Sequence, residues 1–312
     1  MQAEGRVRFV MLAAMAKAIT RRFTVSIVGP GNLGSVLAVN LSRAGYRIEF
    51  LVVRSRRRIP AATRNLARRV KARIVALGEM PLGSDLVWIT VPDDAIANVA
   101  AQLASAQEWK GTTAFHSSGA LTSDALSPLR ERGAKVASVH PGMTFVRHSV
   151  PHLKGVPFGL EGDAAAVRFA RKVVRKLGGT AHPIKAENKV LYHAFGAFAS
   201  PMLIALMTAL EKVGKAAGIK PLDLKTMAAP LLRQTLNNYL KHGASSSFSG
   251  PLVRGDVATV RKHLLALEKV PEAHAAYLEL STAALKNLPV RNRPEIEKEL
   301  RRTEHLRKTE KA

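Results

Sequence analysis

FTVSIVGPGNLGSVLAVNLSRAGYRIEFLVV, residues 23–53, changes its periodicity twice. The apolar, β-branched run Phe23 to Val28 and the run Arg47 to Val53 read as short strands. The stretch between them, up to Arg43, has helical spacing. Strand, helix and strand in that order make a βαβ unit and predict parallel strands. The turn between the first two elements is Gly29-Pro30-Gly31-Asn32-Leu33-Gly34. In that context the first glycine permits the tight turn, the second lets backbone approach a pyrophosphate, and the third lets helix and strand pack closely. The free N–H groups and dipole of a helix starting at Gly31 favour an anion there, so Gly29, Gly31, Asn32, Leu33 and Gly34 are expected to hold a dinucleotide.

The second strand decides which dinucleotide. Such a strand often ends in one acidic residue, which holds a ribose hydroxyl and repels a 2′-phosphate. This one ends at Val53 and is followed by Arg54, Ser55, Arg56, Arg57 and Arg58. Guanidinium groups bind phosphate through charge-assisted, often bidentate hydrogen bonds. NADP(H) is therefore expected over NAD(H), with Arg54 and Ser55 as first contacts and Arg56 or Arg57 assisting. In LVWITVPDDAI, Thr90, Val91 and Pro92 end a later strand, on the sheet edge where open α/β folds bind ligands.

Working outward, strands are expected at Leu86 to Val91, Thr112 to Phe115 and Lys135 to Val139, with a short one between Arg69 and Leu77. A helix over Asp163 to Leu177 ends at Gly178-Gly179, and an extended piece covers Thr180 to Ile184. Beyond Lys185 the pattern is helical: one long apolar helix stopped by Gly218, another stopped by Gly243, then Val257 to Glu268 and Pro271 to Asn287. The expected architecture is α/β, a Rossmann-type parallel sheet domain over 23–184 followed by an all-helical domain over 185–288 that carries substrate and dimer contacts. Residues 1–22 read as an N-terminal extension too short in its apolar centre to span a bilayer. Residues 289–312 read as a charged tail or frayed helix.

Composition bounds the partners. With 312 residues and 47% hydrophobic content, a sizeable core in two domains is affordable. There is no cysteine, which excludes disulfides and thiolate chemistry and suits a reducing cytoplasm. The net charge of +25 is split almost evenly, +12 in residues 1–150 and +13 in the remainder. Residues 43–73 concentrate eleven Lys/Arg against Glu49 alone, but few aromatics interleave with them, so a nucleic-acid platform is not expected. The ten histidines are scattered and suggest no metal site.

Several motifs carry a family resemblance: the loop at Gly29 to Gly34, VPDDAI at 91–96, HSSGAL at 116–121, HPGMTF at 140–145, KVLYHAFGAFAS at 189–200 and GPLVRGD at 250–256. Together, over residues 23 to 288, the chain resembles the Rossmann-like family carrying the domain of unknown function 2520. It is more distantly similar to β-hydroxyacid dehydrogenases, ketopantoate reductases and pyrroline-carboxylate reductases. The resemblance implies an NADP-type Rossmann domain, a helical dimerising domain and an oxidoreductase activity. One departure stands out: the family commonly shows Ser-Asn where this chain has Ser200-Pro201.

The residues themselves suggest where chemistry sits. His116, Ser117 and Ser118 follow a strand and bring hydroxyls and backbone donors to the sheet's carboxyl edge, suited to a substrate oxygen. Equally, Ser117 and Ser118 cap the helix beginning near Leu121. His140 ends another strand on that edge, either facing substrate or holding a turn. Lys189, Tyr192, His193 and Ser200 share one helical stripe. A buried lysine there calls for an anionic answer, from substrate or from a structural salt bridge, and Lys189 or His193 is the expected proton donor, with Ser117 also catalytic. Asp256 reads as a helix N-cap, and Arg254 as a residue facing the substrate's acid group. The expectation is a cytoplasmic, homodimeric NADPH-dependent oxidoreductase acting on a small carbonyl or imine in a cleft between the domains, without a membrane. The alternative is a non-catalytic NADP(H)-binding or sensing protein.

Overall fold

The computed structural model describes residues 23–147 and 149–309, so the N-terminal extension and the last three residues of the tail lie outside the described residues. Thr24–Val28 (β1), Asn32–Arg43 (α1), Arg47–Val53 (β2), Ala61–Val70 (α2) and Arg73–Ala76 (β3) form one half of a sheet domain. Leu86–Ile89 (β4), Asp93–Ala106 (α3), Thr113–His116 (β5), Ser127–Glu131 (α4) and Lys135–Pro141 (β6) form the other. Pro157–Gly162 (β7), Ala164–Lys176 (α5) and Thr180–Pro183 (β8) extend it. The eight strands lie in the order β3-β2-β1-β4-β5-β6-β7-β8, all parallel to their neighbours except β6 with β7. β1 lies between β2 and β4, so the strand order reverses there. A crevice at the carboxyl ends of β1 and β4 is the ligand position of such sheets.

β1 is buried at all five positions, as expected for a central parallel strand covered on both faces. Val25 and Ile27 pack with Leu37 and Leu41 of α1 and with Val173 and Val174 of α5. Val28 faces the other layer, with Ile96, Ala100 and Leu103 of α3. The strand β7 has no counterpart in the sequence reading, because PFGLEG hides its pattern behind one proline and two glycines. Those glycines are required. Gly162 has φ +136° with Val136 O only 2.5 Å from where a Cβ would lie, and a Cβ on Gly159 would meet the Tyr192 ring at 2.6 Å.

The chain divides into two compact units, one ending at Ala197 and the other beginning at Phe198. The sequence placed this boundary at 184/185. It lies later because the first turns of the helix Lys189–Ala199 (α6) are bonded to the sheet through Lys189 and Tyr192. The single apolar helix expected up to Gly218 is two helices, α6 and Pro201–Ala216 (α7), broken at Ser200 (φ −131°, ψ −81°), where Pro201 opens the new helix. Residues 186–216 are the one described helical stretch apolar and long enough to cross a membrane by length and composition. That break and the sheet-bonded Lys189 fit a membrane span poorly.

The second unit continues with Pro221–Ser247 (α8), interrupted at Gly243 (φ 77°), then Pro251–Arg254 (α9), Val257–Leu267 (α10) and Pro271–Asn287 (α11). The residues read as a frayed tail form a packed helix, Arg293–Thr309 (α12). Ile296 and Leu300, four apart among charged neighbours, are buried against Val260, Leu264, Leu278 and Leu285. Two apolar positions were enough, although they looked too few in the sequence. Leu300→Ala is expected to cost about 2–5 kcal/mol in urea unfolding monitored by circular dichroism, whereas an unpacked tail would lose nothing measurable.

Candidate functional site

Gly29 turns the chain at the end of β1 with φ +84°, and a Cβ there would meet Val91 Cγ1 at 2.7 Å. Gly34 is fixed by crowding: a Cβ would lie 2.5 Å from both Gly29 O and Thr90 Oγ1. Thr90 closes the crevice by donating its hydroxyl to Gly29 O (2.7 Å). Gly31, by contrast, has nothing within 4 Å of a Cβ position, so its outer face is open for a group to approach the backbone. Gly31 caps α1 without a side-chain bond, and the first turn of α1 holds no acidic residue. Asn32 is exposed, and its amide donates to Phe145 O (3.3 Å). A diphosphate fits this turn, with free N–H groups, an unopposed dipole and no side chain in the way.

At the tip of β2, Arg54 is exposed and makes no ion pair among the described residues. Ser55 accepts from the Arg57 amide (3.2 Å), which shapes the turn. Arg56 differs from expectation: its guanidinium donates to Glu79 (2.8 Å), whose other oxygen accepts from the Ala76 amide (2.7 Å). Of the two, Arg54 is thus the one without an ion pair among the described residues, while Val91 and Pro92 stand beside the glycine turn at the end of β4.

The residues after β5 differ from the substrate-facing expectation. His116 is fully buried: Nδ1 accepts from the Ser118 amide (3.1 Å), so Nε2 carries the proton and bonds Thr122 O (2.9 Å). With both nitrogens engaged, His116 is a structural residue; burial lowers its pKa to about 4. Ser118 is also committed. It donates to Asp93 Oδ2 (2.6 Å) and accepts from the Ala120 and Leu121 amides (3.2 and 2.9 Å). Ser117 accepts from the indole of Trp88 (2.8 Å), which makes it the anchor of a fully buried ring. Neither serine caps a helix near Leu121: the next helical turn begins at Ser123 behind Thr122 without a side-chain cap, and the Ser118 hydroxyl instead closes the loop onto the Ala120 and Leu121 amides.

Around that loop α6 brings its polar stripe. Lys189 is 1% exposed, and its ammonium donates to Ser118 O (3.0 Å) and Ser138 Oγ (2.6 Å). Among the described residues no carboxylate pairs with it, so neutral oxygens supply the answer the sequence had sought from an anion. Burial lowers its pKa to about 8, while Glu161 and Asp93, farther off, pull the other way. One turn later the Tyr192 hydroxyl pairs with His140 Nδ1 (3.0 Å), and the ring of His193 crosses that of His140 edge-on at 5.9 Å. Gly119 lets these rings in, since a Cβ there would lie 2.6 Å from His193 and 2.9 Å from His140. Burial, with the nearby Lys189 and His193, holds His140 at a pKa of about 4, hence neutral. His140, Tyr192 and the exposed His193 form a compact polar cluster at the carboxyl edge. The roles of Asp93, Ser138 and Trp88 were not visible in the sequence, because each rests on a contact with residues 25 or more positions away or on another strand.

Ser200 and Arg254 belong to the second unit, where Ser200 precedes α7 and Arg254 ends α9. Asp256 caps α10 by accepting from the Thr259 amide (3.0 Å).

The two neutral histidines make stability pH-dependent. Unfolded chains bind a proton near pH 6.5, while His116 and His140 resist protonation until about pH 4, so the native state loses stability as pH falls between those values. Urea titrations between pH 6.5 and 5 are expected to show a loss of about 1 kcal/mol per histidine per pH unit. His140→Gln should remove about half of that slope, and an unchanged slope would contradict the assignment.

The Rossmann-like domain model matches residues 13–141, and the model described as domain of unknown function DUF2520 matches residues 156–284. No curated protein matches the chain significantly. Among solved structures, a Thermotoga maritima protein is 25% identical with TM-score 0.66, covering 88% of this chain and 99% of that one. An imine reductase from Myxococcus stipitatus in complex with NADP+ is 17% identical with TM-score 0.64, covering 90% and 99%. A reductive aminase from Aspergillus terreus in complex with NADPH and ethyl-5-oxohexanoate is 15% identical with TM-score 0.61, covering 88% and 99%. At such identities the likeness establishes the fold. Two domain models, each matching less than half of the chain, agree with that fold.

Proposed function

We propose that this protein is an NADPH-dependent oxidoreductase that reduces a small carbonyl or imine substrate. The observation that carries the reading is the uncapped N-terminus of α1 behind Gly29 and Gly31, with Arg54 at the tip of the adjacent strand. The nicotinamide complexes of the imine reductase and reductive aminase support the same cofactor and the same reaction class. In this reading the glycine turn binds the diphosphate, Arg54 and Ser55 bind the 2′-phosphate, and Val91 and Pro92 border the ribose. NADPH, when bound, supplies a hydride to the substrate carbon.

The substrate heteroatom then requires a proton. His193 is our donor, since it is exposed and lies against His140 and Gly119. Neutral His140 and the Tyr192 hydroxyl orient the substrate heteroatom beside it. Lys189 is too buried to touch substrate; it is a positioning residue that fixes α6 against the Ser118 carbonyl. The exposed apolar side chains of the helical unit support a homodimer, and the setting is a soluble cytoplasmic protein with no nucleic-acid partner. A non-catalytic NADP(H)-binding protein is the second reading. Pro201, standing where the family commonly has asparagine, favours it.

Turnover is tested by loss of NADPH absorbance against a panel of small keto acids, ketones and cyclic imines. His193→Ala should lower kcat by about 10²–10⁴-fold with the NADPH dissociation constant unchanged. NADPH binding without turnover of any substrate would favour the second reading. Arg54→Glu should weaken NADPH by about ten- to a hundredfold and leave NADH untouched. Equal losses for both dinucleotides would remove Arg54 from the phosphate site.

A further inference from the structure

Asp93 is the first residue of α3, directly after Val91 and Pro92, and it is exposed. Its Oδ2 accepts from the Ser118 hydroxyl at 2.6 Å. Its Oδ1 has no hydrogen-bond or ion-pair partner among the described residues. A chain with 48 Lys and Arg against 23 acids offers many cations to answer a carboxylate, and none of the described ones answers this one. The roles assigned so far leave that charge unused.

The carboxylate stands beside the polar cluster. Ser118, which it holds, is followed by Gly119, where a Cβ would lie 2.6 Å from His193 and 2.9 Å from His140. Two adjacent loop residues thus touch Asp93 and both histidine rings. Of the charged groups that act on His140, namely Lys189, His193, His116 and Asp93, Asp93 is the one acid. Apart from His193 itself, the basic groups there do not face a substrate with charge. The Lys189 ammonium is 1% exposed and bonded to Ser118 O and Ser138 Oγ, and His116 and His140 are neutral. Glu161, the other acid that acts on Lys189, has both oxygens engaged by Ser123. An anionic keto acid placed beside His193 meets a like charge in Asp93, whereas a cation gains a charge-assisted contact.

We infer that Asp93 is the counter-charge for a cationic substrate, and that the substrate class is an iminium rather than a neutral ketone or a keto acid. This deepens the NADPH-dependent reading of the site and rests on it. The iminium carbon takes the hydride that bound NADPH supplies, leaving NADP+, and the C=N π pair becomes the lone pair of the amine nitrogen. A neutral imine first takes a proton from His193 and then carries the same charge. Oδ1 answers the nitrogen while Oδ2 keeps its bond to Ser118. A purely structural Asp93, favoured by the α3 dipole and bonded to Ser118, would not distinguish between substrates of different charge.

Asp93→Asn keeps an acceptor for Ser118 and removes only the charge, while Asp93→Glu keeps the charge. The probes are N-methyl-dihydroisoquinolinium, a fixed cation, and β-tetralone, a neutral ketone of the same bicyclic shape. NADPH oxidation gives kcat/KM for each. Calorimetry of the NADP+ complex with N-methyl-tetrahydroisoquinoline, an ammonium at neutral pH, reads binding without turnover. The unmodified protein is expected to favour the cation at least about tenfold and to bind the amine. Asp93→Asn should raise KM for the cation and weaken the amine about tenfold, the loss of one charge-assisted contact, and leave the ketone within about twofold. Asp93→Glu should retain the preference. Equal losses in both variants, or equal effects on cation and ketone, reduce Asp93 to a brace and overturn the inference, as does an unmodified protein that prefers the ketone. Where neither probe turns over, the amine decides: no binding, or binding that Asp93→Asn leaves unchanged, overturns it too. NADPH titration of the same samples separates the two claims. Bound NADPH without a cation preference refutes the substrate class alone, and a protein that binds no NADPH refutes the proposed function with it.

Discussion

An uncapped helix start governs the candidate site. α1 begins at Gly31 with no side chain bonded over its first amides and no acid in its first turn. Buried helix ends require partners, and exposed ones remain available to ligands. Crowding on the inner side of the turn, where Gly29 and Gly34 touch Val91 and Thr90, sets that opening at the point where strand order reverses. The packing that forces glycine on the inside leaves Gly31 clear on the outside, so one set of contacts both builds the fold and opens the anion site.

A second constraint links the sheet to α6. The Ser118 carbonyl accepts from Lys189 and from Ser138, while the Ser118 hydroxyl reaches Asp93 at the start of α3. Three elements thus converge on one residue of the β5 loop. An ammonium this deep is costly unless its donors are satisfied. Neutral oxygens meet two of them, and the depressed pKa of Lys189 records what remains of the desolvation penalty. With the first turn of α6 held in this way, Tyr192 and His193 follow one turn on at fixed positions near His140. In this account the burial of Lys189 and the exposure of His193 are two consequences of one docking.

Much of the fold was legible because its signals are local. β1, α1 and β2 declare themselves through period and glycine placement, and the Asp256 cap is visible from its position before an apolar run. β7 was not legible, since the glycines that let Tyr192 and the β6 backbone approach also erase strand propensity. α12 was misread because Ile296 and Leu300 are sparse in sequence but align on one face. In the site, residue types were readable and partners were not. Nothing in HSSGAL reveals that Ser118 hydrogen-bonds to Asp93, or that Lys189 meets a carbonyl 71 residues away. The sequence ranks Arg54 before Arg56 only by nearness to the strand tip, and the ion pair of Arg56 with the distant Glu79 is visible only in the structure.

The central claim is that the glycine turn and Arg54 together bind a dinucleotide carrying a 2′-phosphate. Calorimetric titration of the unmodified protein with NADPH and with NADH at fixed ionic strength tests it most directly. The account predicts one NADPH per chain, bound at least about tenfold more tightly than NADH, the equivalent of one charge-assisted phosphate contact. Equal affinity for the two, or no heat from either, would contradict it.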